Sequence, residues 1–459
     1  MEQRDRDLIA QIEAIVGPKG LLLGRDVTAR PHLSWGRGQC PAKAIVRPGS
    51  TSELSQVMAL CHRWGQSVVP WGGMSGLVNG AQCEAGDLAL SLERMNRIEQ
   101  LESDAGVMTV QAGAVLQQVQ QAAEEAGWQF AVDLGARGSA QIGGMVATNA
   151  GGNSVVRYGM MREQVLGLEV VLADGTVLSS LNEMLKNNAG YDLKQMFIGS
   201  EGTLGIVTRA VLRLRPRCSS VQTALVALSR FEDVVTLLRR LGGELDGKLT
   251  AFEVMWQSHY HCLVAELAKH PAFLPTEYPF YVLVEASGSD PKRDEAHFMT
   301  LLESLLSSGT ILDAVIAHAS EQAAQLWALR DDAESLIKHL GPVAVFDISL
   351  PIRTMEAYIT QLEQRLAEDY PASRLITFGH LGDGNLHLGI GPVEDKTGVE
   401  SLVYRSLSEV NGSISAEHGI GLEKKPYLHR SRSEVEIQLM KKLKALLDPK
   451  GVLNPGKIF

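Results

Sequence analysis

Long hydrophobic runs are missing from this chain. Nowhere in its 459 residues do about 18 apolar residues follow one another, the length a membrane-spanning helix needs. The opening residues, MEQRDRDLIAQIEAIVG, lack the basic end and continuous apolar stretch of a secretory signal and instead mix both charges with an amphipathic period, so a cytoplasmic location is expected. Cysteine is scarce. Cys40, Cys61, Cys83, Cys218 and Cys262 are five in number, widely scattered, and contain no C-x-x-C pair for zinc or redox exchange, so they are read as reduced and structural. No block of five or six like charges occurs, and the net charge is -10, which argues against a nucleic-acid footprint or a membrane-surface helix. Internal repeats and low-complexity segments are absent too. Neither G-x-x-x-x-G-K-[ST] nor G-x-G-x-x-G is present, so neither a P-loop nucleotidase nor a nicotinamide dinucleotide fold is supported.

What is present is an ordinary globular composition, 45% apolar and 21% charged, in a chain too long for one core. Small-molecule work is the expectation. Residues 43–215 alternate short β-rich runs with glycine-rich loops, as in SVVPWGG, GVMTVQAG and LEVVLADGTVLSS, and read as an α+β domain. One helix there is marked by a capping box, Ser50 with Glu53, ahead of Leu54, Val57, Met58, Leu60 and Cys61. Leu214-Arg215-Pro216-Arg217 ends that texture. Helical periods at 231–242, 292–308 and 320–339 then alternate with strands at 280–285 and 343–349, which predicts helices packed on an antiparallel sheet. A helix from about Ser433 and the extended tail DPKGVLNPGKIF close the chain. The boundaries expected are 1–215, 216–430 and 431–459.

Glycine clusters in three places. Pro70-Trp-Gly-Gly-Met-Ser-Gly-Leu77 follows a predicted strand, and its glycines let backbone N–H groups approach an anion such as a pyrophosphate. Gly138-Ser-Ala-Gln-Ile-Gly-Gly-Met-Val-Ala-Thr-Asn-Ala-Gly-Gly152 lacks the bulk to build a core and suits a backbone lying flat against a large ligand. Gly199-Ser-Glu-Gly-Thr-Leu-Gly205 precedes a third strand. Three such loops in one domain imply one extended ligand.

Histidine and carboxylate cluster further on. In Ile376-Thr-Phe-Gly-His380-Leu-Gly-Asp-Gly-Asn-Leu-His387-Leu-Gly-Ile390, a two-residue turn at Asp383-Gly384 would set His380 directly opposite His387, with Cβ atoms roughly 4.5–5.5 Å apart, close enough to share a metal ion. A wider loop would break that pairing and keep the proximity. Ser415-Ala-Glu417-His418-Gly-Ile-Gly421 adds an adjacent carboxylate and imidazole. A His-His-Glu set leaves coordination positions open, the pattern of a catalytic metal.

Taken in order, PWGGMSGLVNG, DLGARGSAQIGGMVATNAGGNSVVRYG, VLADGTVL and FIGSEGTLGIVT resemble the FAD-binding (PCMH-type) domain of the vanillyl-alcohol oxidase superfamily. FGHLGDGNLHL, AEHGIGLEKKPYL and LDPKGVLNPGKIF resemble its D-lactate and D-2-hydroxyglutarate dehydrogenase branch. The resemblance spans nearly the whole chain. It implies an α+β architecture: a two-part FAD-binding domain, an antiparallel-sheet α+β substrate domain and a C-terminal helical segment. It also implies noncovalent FAD, since none of the three loops contains histidine or cysteine, held by Trp71, Gly72, Gly73, Met74, Ser75, Gly76, Leu77, Leu134, Ser139, Gly143, Gly144, Thr148, Gly152, Glu201, Ile206 and Asn454.

By the same resemblance His380, His387 and Glu417 ligate zinc or manganese, His418 is the catalytic base and Arg330 clamps the substrate carboxylate. The reaction implied is oxidation of a D-2-hydroxy acid to its 2-oxo acid by hydride transfer to flavin N5. The electron acceptor would be a quinone, a cytochrome or an electron-transferring flavoprotein, and the assembly a homodimer. Members acting on D-2-hydroxyglutarate carry a lysine where Val345 stands and an asparagine where Gly389 stands. Both changes remove polar partners for a second carboxylate, so a D-lactate-like or larger monocarboxylate is the expected substrate. The alternatives are a D-2-hydroxyglutarate dehydrogenase, a flavin electron-transfer subunit of a larger complex, a metal-independent flavin oxidase that reduces oxygen, and a metal-dependent hydrolase with merely structural glycine loops.

Overall fold

The computed structural model describes residues 3–34 and 38–459 and divides into two units. The first comprises Met1–Gly152, Gly159–Pro216 and Glu417–Phe459; the second comprises Asn153–Tyr158 and Arg217–Ala416. The middle segment of the first unit ends at Pro216. The chain returns to the first unit at Glu417, however, and not at residue 431. Ile420 and Gly421 donate their N–H groups to Glu201 at 2.7 and 2.8 Å, and Leu422 donates to Val78 O at 2.9 Å. Such backbone ties leave no trace in hydrophobic periodicity, so the earlier return is invisible in the pattern.

In the first unit the helix Thr51–Trp64 begins as its capping residues require. Ser50 Oγ accepts the Glu53 N–H at 3.2 Å, and the Glu53 carboxylate accepts the Gly49 N–H at 2.7 Å. It ends at Gly65, whose φ of 63° places it in the left-handed region. The following strand, Val68–Trp71, runs parallel to Leu88–Ser91, which runs parallel to Ala44–Val46. A second, antiparallel sheet is ordered Ile98–Glu102, Val107–Gln111, Ile206–Arg213, Val165–Val171, Val177–Ser180. Leu54, Val57 and Met58 of the helix share one core with Met108, Val110, Leu168, Val170, Ala210 and Leu212 of that sheet. The tail is pinned beside the first sheet. Val68 N–H donates to Val452 O and Asn454 N–H to Val68 O, both at 2.8 Å, while buried Asp448 accepts the Val452 and Leu453 N–H groups at 3.0 and 2.8 Å.

The second unit is built on a seven-stranded sheet ordered Asp313–Ile316, Ser220–Leu228, Phe280–Gly288, Leu249–Trp256, Arg374–His380, Asn385–Gly391, Ala344–Ser349. Every pairing in it is antiparallel. One face packs against Tyr260, Leu263, Leu326, Leu329, Leu336 and Leu340 from the helical segments. The single helix expected at 320–339 is two, Ser320–Asp331 and Ala333–Leu340, because Asp332 takes up the capping role and accepts the Ser335 N–H at 3.1 Å. Among the described residues no helix is long and apolar enough to cross a membrane.

His259 lies wholly inside this unit, its ring 4.7 Å from that of Phe378. Burial, reinforced by the Arg330 charge, pulls its pKa from 6.5 to about 3. Above pH 6.5 the ring is neutral folded and unfolded, and the stability is fully present. As pH falls, the unfolded chain takes up a proton the folded one refuses, and stability drops by about 1.4 kcal/mol per pH unit toward the folded pKa. His259→Leu is therefore expected to flatten the dependence of Tm on pH below neutrality. Equal slopes in the two proteins would contradict this assignment.

Candidate active site

In the first unit, the strand Val68–Trp71 delivers the first glycine loop onto the second. A Cβ on Gly73 would lie 1.8 Å from Ser139 O, and one on Gly72 would lie 3.3 Å from Gly144 Cα. The two segments meet backbone to backbone, an approach that only glycine allows. The second segment is not a loop throughout: Ile142–Thr148 forms a short helix, with Thr148 Oγ1 donating to Gly144 O at 3.1 Å and Gly143 packed on Ala112. Buried Gln141 Oε1 at its start has no hydrogen-bond partner among the described residues. Gly152, at φ +146°, passes so close to Asp133, the neighbour of Leu134, that a Cβ would sit 1.8 Å from its carbonyl oxygen. Met74, at φ 55°, turns the first loop toward Ser75, Gly76 and Leu77.

The third loop turns through Gly199, Glu201 and Gly202, all at positive φ. Burial pushes the Glu201 carboxyl up, while the N–H groups of Ile420 and Gly421 work the other way. Asn454 Nδ2 donates to Gly80 O at 3.1 Å and Glu201 O at 2.8 Å, fastening the segment after the first loop to the third. Gly73 with Ser139 and Asn454 with Glu201 are thus brought together in this unit. Trp71, whose Nε1 donates to Ala81 O at 2.8 Å, and Ile206 are buried in core clusters, and Met74 and Leu134 pack against them.

In the second unit, the hairpin that carries the two histidines pairs Phe378 with His387, not His380 with His387. Leu381–Asp383 forms a turn of 3₁₀ helix and Gly384 adopts φ 83°, so the strands join through a wider loop than a two-residue turn. The register differs from the expectation by two residues, and a shift of two keeps a side chain on its face where a shift of one would reverse it. His380 and His387 therefore remain neighbours, with ring centroids 5.3 Å apart and planes at 82°.

Each histidine faces a carboxylate across an outer strand pair. Glu253 is the register partner of His380, and its Oε1 lies 2.8 Å from His380 Nδ1. Asp347 is the register partner of His387, its Oδ1 3.9 Å from His387 Nδ1. Asp347 also accepts from Asn385 Nδ2 at 2.9 Å and from the Ala416 N–H at 3.2 Å. Arg330 reaches the same cluster: one terminal nitrogen lies 2.7 Å from Glu253 Oε2 and 3.2 Å from His380 Nε2, and the other lies 3.1 Å from Asp331 Oδ1. Burial works against a charged Glu253, but the Arg330 charge and His380 outweigh it and hold the carboxyl below its usual range. At the turn, burial raises Asp383 to about 6.

Glu417 and His418 open the returning segment of the first unit, directly after Ala416. Within that unit the next residue, Gly419, has φ +82° and lies so near Glu201 that a Cβ would be 2.9 Å from its Oε1. His418 is thereby carried one residue from the third glycine loop's carboxylate.

Comparison with known proteins gives two family matches along the chain. The profile described as "FAD linked oxidases, C-terminal domain" matches residues 217–458, and the one described as "FAD binding domain" matches residues 42–180. The chain belongs to the FAD-linked oxidase family and is an FAD-binding protein. It is 39% identical over 459 residues to the mitochondrial D-2-hydroxyglutarate dehydrogenase of Bos taurus, covering 99% of this chain and 83% of that one. It is 36% identical to the D-2-hydroxyglutarate dehydrogenase of Stutzerimonas stutzeri, covering 99% of each. In fold it matches p-cresol methylhydroxylase, with a TM-score of 0.77 at 15% identity over all of this chain and 97% of that one. Alkyldihydroxyacetonephosphate synthase gives 0.76 at 17% over 98% and 85%.

Sequence reasoning missed Glu253 and the contacts of Asp347. The available signal was an acid in the middle of the apolar strand Leu249–Trp256, where a charge is stable only with a partner.

Proposed function

We propose that this chain is an FAD-dependent dehydrogenase that oxidises a D-2-hydroxy monocarboxylate to its 2-oxo acid, with a divalent zinc or manganese ion held by His380, His387 and Glu417. The observation that carries the reading is the pair of imidazoles on one sheet face, each opposite its own carboxylate, in a chain that also holds three glycine loops suited to FAD. FAD, when bound, would accept the hydride from C2, and a divalent ion held by His380, His387 and Glu417 would lower the pKa of the substrate hydroxyl. His418 takes the hydroxyl proton. Arg330 receives the substrate carboxylate on the nitrogen now facing the more exposed Asp331, while Glu253 keeps the other. The reading includes a cytoplasmic homodimer that passes electrons to a quinone, a cytochrome or an electron-transferring flavoprotein.

The monocarboxylate preference rests on two positions. Val345 and Gly389 are cross-strand partners, two residues along from Asp347 and His387 on the same face. A Cβ on Gly389 would lie 3.1 Å from Leu340 Cδ1, and neither Gly389 nor Val345 itself carries a side-chain donor for a second carboxylate. The relatives named D-2-hydroxyglutarate dehydrogenase favour the competing substrate.

Anaerobic bleaching of the flavin by D- and L-2-hydroxy acids, before and after chelation, tests both parts. Bleaching by D-lactate or D-2-hydroxybutyrate that is lost on chelation and restored by zinc or manganese is expected. A kcat/KM much higher for D-2-hydroxyglutarate overturns the preference, and bleaching that survives chelation overturns the metal. Val345→Lys is expected to raise kcat/KM for D-2-hydroxyglutarate about 10- to 100-fold, the worth of one charge-assisted hydrogen bond.

A further inference from the structure

We propose that Cys262, Glu266 and His339 form a further divalent-metal site in the second unit, one that favours zinc and is separate from the histidine pair of the candidate active site.

The helix Gln257–His261 continues into a single π turn, Cys262–Glu266, closed by the Leu267 N–H on Cys262 O at 2.9 Å. Such turns are uncommon and frequently mark functional sites. Cys262 is wholly buried and shares a core with Leu263 and with Leu336 and Leu340 of the helix Ala333–Leu340, the helix that carries His339. Packing of these two segments brings their polar ends together. One donor atom from each of Cys262, Glu266 and His339 lies within 4.8 Å of the other two, and His339 Nε2 is 3.0 Å from Glu266 Oε2. Zinc at its ordinary lengths, about 2.3 Å to sulfur and about 2.0 Å to nitrogen or oxygen, sets tetrahedral donors about 3.5 Å apart, so side-chain shifts of about an ångström close the set. The Glu266 and His339 side chains are 27% and 31% exposed, which gives an ion a way in from solvent.

Glu266 is oriented by a partner that is not itself a ligand. Arg374 donates from its two terminal nitrogens to Oε1 and Oε2, at 2.8 Å each, which uses one lone pair on each oxygen and leaves the other. Ligating carboxylates are commonly fixed by such outer hydrogen bonds. The guanidinium also offsets one of the two negative charges that a carboxylate and a thiolate bring to the ion. A bound ion takes Cys262 as thiolate, its proton passing to solvent, and a thiolate favours zinc over manganese. The fourth position is left to water or to His261, whose Nε2 lies 3.8 Å from Oε1. Arg374 and His380 are the two ends of one seven-residue strand, about 20 Å apart at about 3.3 Å per residue, so this site and the histidine pair do not share an ion.

The test titrates the FAD-loaded full chain, first stripped by chelation, with Zn²⁺ alone and then reads the bound zinc by X-ray absorption. The wild type is expected to bind two zinc ions and His387→Gln to bind one, with a sulfur neighbour at about 2.3 Å. Adding Cys262→Ala or His339→Ala to His387→Gln is expected to abolish that zinc. His339 stands at the surface, so its variant reads the site even where the buried Cys262→Ala does not fold. The proposal is overturned if His387→Gln takes up no zinc, if its zinc lacks sulfur, or if either double variant keeps the zinc with unchanged affinity. A wild type that binds a single zinc and loses it in Cys262→Ala alone removes the metal proposed at His380 and His387 and leaves this site standing.

Discussion

Gly73→Ala is expected to yield protein without the visible flavin band, whereas Gly76→Ala, three residues further along the same loop, is expected to retain it. The difference lies in what a single methyl group would meet. At Gly73 the new carbon would be 1.8 Å from Ser139 O, 2.7 Å from Ser139 C and 3.1 Å from Ala140 Cα; at Gly76 nothing lies within 4 Å. The atoms crowding Gly73 are all backbone, so no side chain can swing aside. The first and second glycine loops must part by more than an ångström, and the cost of that strain is on the order of 3 kcal/mol. A displacement of that size also separates the N–H groups proposed to hold the pyrophosphate, so flavin is lost even where the chain still folds. Absorbance of the purified proteins and the shift of Tm on adding FAD check both halves. A yellow Gly73→Ala protein with unchanged Tm would show that the loops do not approach as the structure has them.

The same comparison explains why the cofactor loops could be read from sequence. Glycine at close backbone approach is a local requirement, written at the position where it acts. The histidine pair was legible for a related reason: both residues lie in one hairpin, and the two-residue error in register left them on the same face. The acid in the apolar strand marked Glu253 as needing a partner but did not name it, because 127 residues separate it from His380 and only the sheet order makes their strands neighbours. The break at Asp332 within the segment 320–339 lay between the two extremes. Its capping of Ser335 is local, but the apolar residues on either side continue the helical period across it. The return to the first unit at Glu417 depends on backbone hydrogen bonds to Glu201 and Val78, which carry no pattern in residue type.

Single substitution of Arg330 confounds its ion pair with Glu253 and its proposed substrate role, and the pair with Glu253 offers a way to part them. The guanidinium is nearly buried, at 8% side-chain exposure, and its partner Glu253 more so at 1%. Arg330→Met leaves a buried carboxylate without its counter-charge, and a loss of about 3–5 kcal/mol in folding stability is expected. Adding Glu253→Gln removes the orphaned charge. With the arginine gone, the neutral glutamine leaves no buried charge without a partner, so the double variant is expected to recover most of the stability. The activity should not follow. If Arg330 receives the substrate carboxylate, kcat/KM for the best D-2-hydroxy acid stays about 10- to 100-fold down in the double variant, since a charge-assisted hydrogen bond is lost whichever residue stands at position 253. Denaturant melts and steady-state kinetics on the two single variants and the double supply the whole cycle. Recovery of kcat/KM together with stability would make Arg330 a structural counter-ion and remove it from substrate binding. Stability regained with activity still missing assigns it to both.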